Sequence, residues 1–211
     1  MNCWLRQKLM NERQRRALTF LGLTAIFVGY FMAWLDHSAA GLTFIGLEMG
    51  EQAKFLPQVR AGEILPGRSL FYLPPITLAL LLILLSAQWP ARRWQTWAVR
   101  LLAVAISLLA FPAFEAVGTE AAEWLWRVLM IGGVLLAILL TPLIARLPAR
   151  TLLVLTVVTA LAGALLPVWP FIEVRVALAK FLPQGPAVGM GLWTTVAGHL
   201  LVAFAVAGQI D

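Results

Sequence analysis

Histidine 199 is the residue whose type and setting most readily suggest chemistry. It lies in Ala197-Gly198-His199-Leu200, near the middle of the last apolar run. An ionisable group at membrane depth is costly enough to be a functional-site hypothesis by default. As a single axial ligand, His199 could carry haem or a chlorin. The only other histidine, His37, falls at the outer edge of the first apolar run, so paired imidazoles at matching depth are not expected. The favoured expectation is a neutral histidine bonded to a neighbouring helix through Thr194, Thr195 or a backbone carbonyl. No cofactor is therefore expected, with haem or chlorin left open.

A second cluster joins Glu115, Glu120, Glu123 and Arg127. Glu123 and Arg127 are spaced i, i+4, which puts both on one face of a helix, with Glu120 one turn earlier. Intramembrane proteases of the CAAX type place adjacent glutamates before such an arginine and histidines on later helices. Here Ala122 precedes Glu123 and only His199 follows, so the pattern is not met. A solvated ion pair on the outer side is expected instead.

A third set lies between the first two apolar runs and before the last. Glu48, Glu51, Lys54, Arg60 and Lys180 are the candidates for docking a partner or serving a transport pathway. Other enzyme patterns are missing: there is no Gly-x-Ser-x-Gly, no P-loop, no His-Glu-x-x-His and no acidic cluster suited to Mg²⁺. The single cysteine, Cys3, excludes an intramolecular disulfide and thiol-pair redox chemistry, and no apolar signal segment precedes it for lipidation. No metal site is expected.

The elements that must position these residues follow from composition. Of 211 residues 61% are hydrophobic and only 12% charged, against about 25% charged in a soluble domain. Apolar runs near the roughly 20 residues needed to cross the hydrocarbon core are expected over Ala17–Leu35, Phe71–Gln88, Ala98–Phe114, Trp126–Ala145, Thr151–Val168 and Met190–Gly208. Each must be helical, because within lipid every backbone N–H and C=O needs a partner in its own segment. The first run exceeds the 7–15 residues of a cleavable signal core and is read as an anchor.

The fold expected is an all-α integral membrane bundle of about six transmembrane helices. Residues 1–16 form a basic cytoplasmic segment, and 17–211 a single helical domain with an amphipathic outer loop at 36–70. In that loop Leu42, Ile45, Leu47, Met49 and Phe55 alternate with Glu48, Glu51, Gln52 and Lys54, as in a short surface helix that Pro57 would end.

Ten of the sixteen Lys and Arg residues fall on one side of these spans, namely Arg6, Lys8, Arg13, Arg15, Arg16, Arg92, Arg93, Arg100, Arg146 and Arg150. By the positive-inside rule that side is the cytoplasm, and it holds both termini. Charge so placed serves orientation rather than nucleic acid, since no basic stretch is interleaved with an exposed aromatic platform. Eight of nine tryptophans (all but Trp4) fall near span ends, as expected of indoles anchored in the headgroup layer. Lys54-Phe55-Leu56-Pro57-Gln58 recurs as Lys180-Phe181-Leu182-Pro183-Gln184, which leaves a parallel internal duplication open.

Together these features predict a non-catalytic membrane subunit or scaffold in a prokaryotic cytoplasmic membrane. Its partners are the lipid bilayer and other integral membrane proteins. The alternatives are a small permease working as a homo-oligomer through Glu48, Glu51, Lys54 and His199, and a haem or chlorin carrier.

Overall fold

The first long helix, α1 (Glu12–Phe31), begins where Asn11 can satisfy its free amides. The Asn11 side chain accepts from Arg13 N and the Gln14 side chain accepts from Asn11 N, a reciprocal capping box. The computed structural model describes residues 11–37, 41–63, 67–112, 121–180, 182 and 185–208, without the side chains of residues 121–123. Of the described residues 77% are helical. Three helical stretches, Arg68–Ser86, Ala149–Ala179 and Met190–Ala207, are long and apolar enough to cross a membrane; Trp94–Ala110 and Trp124–Leu139 are apolar but shorter.

In chain order the helices after α1 are α2 (Gly46–Gln52), α3 (Pro57–Arg60), α4 (Leu73–Ser86), α5 (Trp94–Ser107), α6 (Ala121–Leu139), α7 (Thr141–Ile144), α8 (Ala149–Leu165), α9 (Val168–Ala179) and α10 (Met190–Ala207). Three short strands, β1 (Ala33–His37), β2 (Leu42–Ile45) and β3 (Ala187–Val188), form an antiparallel sheet in the order β2-β1-β3. The expectation of a wholly helical chain is corrected by this sheet, which links the end of α1 to the start of α10.

Helix α4 is central, with α1, α5, α6 and α8 packed around it. Apolar but for Thr77 and Ser86, it buries Ile76, Leu78, Ala79, Leu81 and Ile83, as befits a helix with no polar face. Pro74 and Pro75 stand in its first turn, where a missing N–H costs nothing.

The closest seam joins α1 to α10. A Cβ added at Gly22 would lie 2.7 Å from the Gly198 carbonyl oxygen, and one at Gly29 would lie 2.6 Å from Thr195 N. Glycines two turns apart on each helix, Gly22 with Gly29 and Gly191 with Gly198, let the backbones meet. Gly132 and Gly133, by contrast, face open space and serve no such contact.

Several boundaries differ from those expected. The first helix stops at Phe31, and Trp34 and Leu35 belong to β1. Trp34 turns inward because its indole N–H donates to the Gly29 carbonyl at 3.0 Å, satisfying an acceptor at the helix end. It is fully buried and meets Tyr30, Phe71 and Phe171 edge-on, with ring centroids 6.1 to 6.4 Å apart. Trp34 is thus a core residue and not an interfacial anchor, whereas Trp89, Trp94, Trp97, Trp126, Trp169 and Trp193 are exposed.

The stretch expected to be one amphipathic surface helix divides in two. Leu42 to Ile45 pair with β1, α2 follows, and Pro57 opens α3 instead of merely ending its predecessor. Phe181, Pro183 and Gln184 lie outside the described residues, and with them most of the second KFLPQ segment.

Candidate functional site

On the sheet side of the bundle, four elements converge on the carboxylate of Glu51. Glu51 sits in the last turn of α2 and Lys54 one turn further on; Tyr72 ends the 3-10 turn that leads into α4, and Arg127 stands in the second turn of α6. Glu51 Oε1 accepts from Arg127 Nη1 at 2.5 Å and from the Tyr72 hydroxyl at 2.9 Å. Its other oxygen accepts from Lys54 Nζ at 3.0 Å.

Arg127 spends its remaining donors on the end of α5. Nε donates to the Ala110 carbonyl at 2.8 Å and Nη2 to the Phe111 carbonyl at 3.0 Å. These are acceptors left open where a helix stops, at the negative end of its dipole. The guanidinium also stacks 4.0 Å from the Tyr72 ring centroid. Behind the ring lies Gly50, where a Cβ would come within 2.7 Å of it.

Burial would push the Glu51 carboxyl up, but hydrogen bonds from Lys54, Tyr72 and Arg127, with the field of Arg127, outweigh it and hold the group at about 2. Glu51 is therefore a permanent carboxylate between two cations. Such a group exchanges no proton near neutrality, and its geometry suits anchoring: one arginine fastens α2, the 3-10 turn, the end of α5 and α6 together.

Of the residues singled out in the sequence, Glu51 and Lys54 meet here. Glu48 is exposed and accepts from Ile45 N at 3.3 Å, closing the first turn of α2. Arg60 and Lys180 are exposed and stand outside the network. Beside it, a cleft of about 150 Å³ opens between the α2 segment and α9, lined by Phe44, Met49, Phe55, Leu56, Val174 and Leu178.

His199 belongs to a separate polar point inside the bundle. It is fully buried, its Nε2 lies 2.9 Å from Thr77 Oγ1 on α4, and its Nδ1 lies 2.9 Å from the Thr195 carbonyl one turn back on α10. In the neutral ring Nδ1–H donates to the carbonyl, and the Thr77 hydroxyl, which also lies 2.9 Å from the Leu73 carbonyl and 3.1 Å from that of Pro74, has one proton to share among those acceptors and Nε2. Gly163 makes the space: a Cβ there would lie 2.2 Å from Nε2. Among the described residues, no group of three or more His, Cys, Asp or Glu side chains could hold a metal ion.

The sequence does not single out Tyr72 or the Ala110 and Phe111 carbonyls, nor the tie of Arg127 to Glu51. That partner of Arg127 lies 76 residues earlier, and Arg127 is buried, 7% exposed, rather than solvated. Glu115, Glu120 and the side chain of Glu123 lie outside the described residues. An arginine in an apolar helix was the available signal, since such a charge needs a buried partner.

Comparison with protein-family models, with curated proteins and with solved structures finds no match to this chain.

Proposed function

We propose that this chain is a six-span integral protein of a prokaryotic cytoplasmic membrane, with both termini cytoplasmic, and that it serves as a non-catalytic subunit or scaffold. Six helices overlapping the six apolar runs, three of them in stretches long and apolar enough to cross a membrane, support the first part. So do the outward-facing Leu101, Leu129, Leu136, Val158, Leu165 and Phe204, all more than a third exposed.

The observation that carries the scaffold reading is the anchorage of Glu51 by Arg127, Tyr72 and Lys54. It fixes the segment from Gly46 to Arg60 on the bundle as a platform of constant shape. Glu48, Phe55 and Arg60 are exposed on that platform, Phe55 by 62%. An apolar side chain held out among charges suits a partner protein better than it suits water.

The test is gentle-detergent purification of the tagged chain from its native membrane, with mass spectrometry and an absorption spectrum of the intact particle. A stoichiometric companion that is lost from a Phe55→Ala, Arg60→Glu variant of unchanged thermal stability is the expected result. A colourless homo-oligomer without companions overturns it in favour of a permease, and a Soret-type band overturns it in favour of a pigment carrier.

A further inference from the structure

Arg100 is the most unusual charge in the fold. It lies in the second turn of α5, is only 7% exposed, and its Nε makes no hydrogen bond. No carboxylate pairs with it among the described residues. Its guanidinium lies 5.4 Å from the centroid of the Trp97 ring, one turn earlier, so the side chain runs back toward the start of the helix, as helical side chains do. A cation taken out of water without a counter-charge is expensive, and a ring face offsets only part of that cost.

The start of α5 supplies what an anion would need. Its cap residue, Arg93, gives no side-chain hydrogen bond to the first turn, where Thr96 N is held by the Arg93 carbonyl at 3.1 Å, so no acceptor side chain of the cap meets the positive end of the helix dipole. Arg92 and Arg93 are exposed beside it. Trp94 and Trp97 are exposed by 74% and 52%, and Leu101 and Leu108, on the face of Trp97, by 66% and 50%. Basic side chains at the start of α5 are therefore followed by indoles and then by an aliphatic stripe along the helix.

We propose that this end of α5 binds the phosphate of an anionic phospholipid, with Arg100 as its buried counter-charge, Arg92 and Arg93 at the rim, and an acyl chain along Leu101 and Leu108. A free phosphate would use the same cations but has no use for the stripe, which is why a lipid is assigned. The inference rests on the membrane reading above.

The experiment is native mass spectrometry of the full chain in detergent, titrated with phosphatidylglycerol, with phosphatidylcholine and with inorganic phosphate. Phosphatidylglycerol should bind preferentially, and Arg100→Gln should weaken it about tenfold without changing phosphatidylcholine binding. The exposed pair Arg92→Gln, Arg93→Gln, which leaves the core intact, should also weaken it and carries the test if Arg100→Gln does not fold. An Arg146→Gln, Arg150→Gln control should bind like the parent. Equal loss in that control, unchanged binding in Arg100→Gln, or competition by millimolar phosphate overturns the assignment. Release of the parent chain from native membranes by alkaline carbonate would instead count against the membrane reading itself.

Discussion

Arg127 reaches across the fold to Glu51, 76 residues earlier, and closes a 2.5 Å ion pair while its other nitrogens hold the carbonyls of Ala110 and Phe111. One side chain thereby joins the α2 segment to two helices of the bundle.

Replacing Arg127 by Leu takes one charge partner from Glu51 and leaves the Ala110 and Phe111 carbonyls without their donor. The expected cost is about 3 kcal/mol, at the low end for a broken buried pair because Glu51 keeps Lys54 and is partly exposed. Glu51→Gln, which keeps the acceptor, should cost about 1 kcal/mol. Detergent-solubilised thermal unfolding measures both, and equal effects would sink the proposed geometry.

Acid should act through the same group. The Glu51 carboxyl is held down, from 4.5 to about 2, so its contribution is fully present above pH 4.5 and is lost as the pH falls toward 2. The stability gap between the parent and Glu51→Gln should accordingly be constant from pH 7 to 5 and shrink below 4.5. A gap that widens on acidification contradicts the ion pair.

A double-mutant cycle addresses His199. Thr77→Val leaves a buried ring nitrogen without its partner and should cost about 1–3 kcal/mol. Combining it with His199→Leu should cost clearly less than the sum of the single changes, because both remove the same bond. Strict additivity would mean that the two side chains do not interact.

At the α1–α10 seam, Gly198→Ala sets a methyl group 2.7 Å from the Gly22 carbonyl oxygen and the Ile26 amide. Both obstacles are backbone, so the helices must part. A loss of about 1–3 kcal/mol is expected, while Gly132→Ala, facing open space, should be neutral or slightly stabilising. Parallel melting curves of the two variants compare them directly.

The apolar helices were legible in the sequence, three of them in stretches long enough to cross a membrane, because apolar runs need only be counted. Their ends were less so, since Trp34 reads as an interfacial indole until its N–H is seen to cap α1 from within the core. The sheet was hidden for a similar reason: Ala187 and Val188 gain strand geometry only by lying against Leu35 and Asp36, far away in the chain. Glu51 and Lys54 stood out by charge and spacing. Their link to Tyr72 and Arg127 depends on how α2 folds over α4 and α6, which periodicity does not encode.

The pairing of β1 with β3, like that of α1 with α10, sets an order on biosynthesis. Helix α1 finds its closest neighbour only when α10 emerges, so until then its glycine face and the open edge of β1 stand without their final partners. Closure of the fold is a late, long-range event, of the kind that is slow and exposed to mispairing. A nascent chain halted before Met190 should therefore remain a substrate for chaperones, even with α1 to α9 already made.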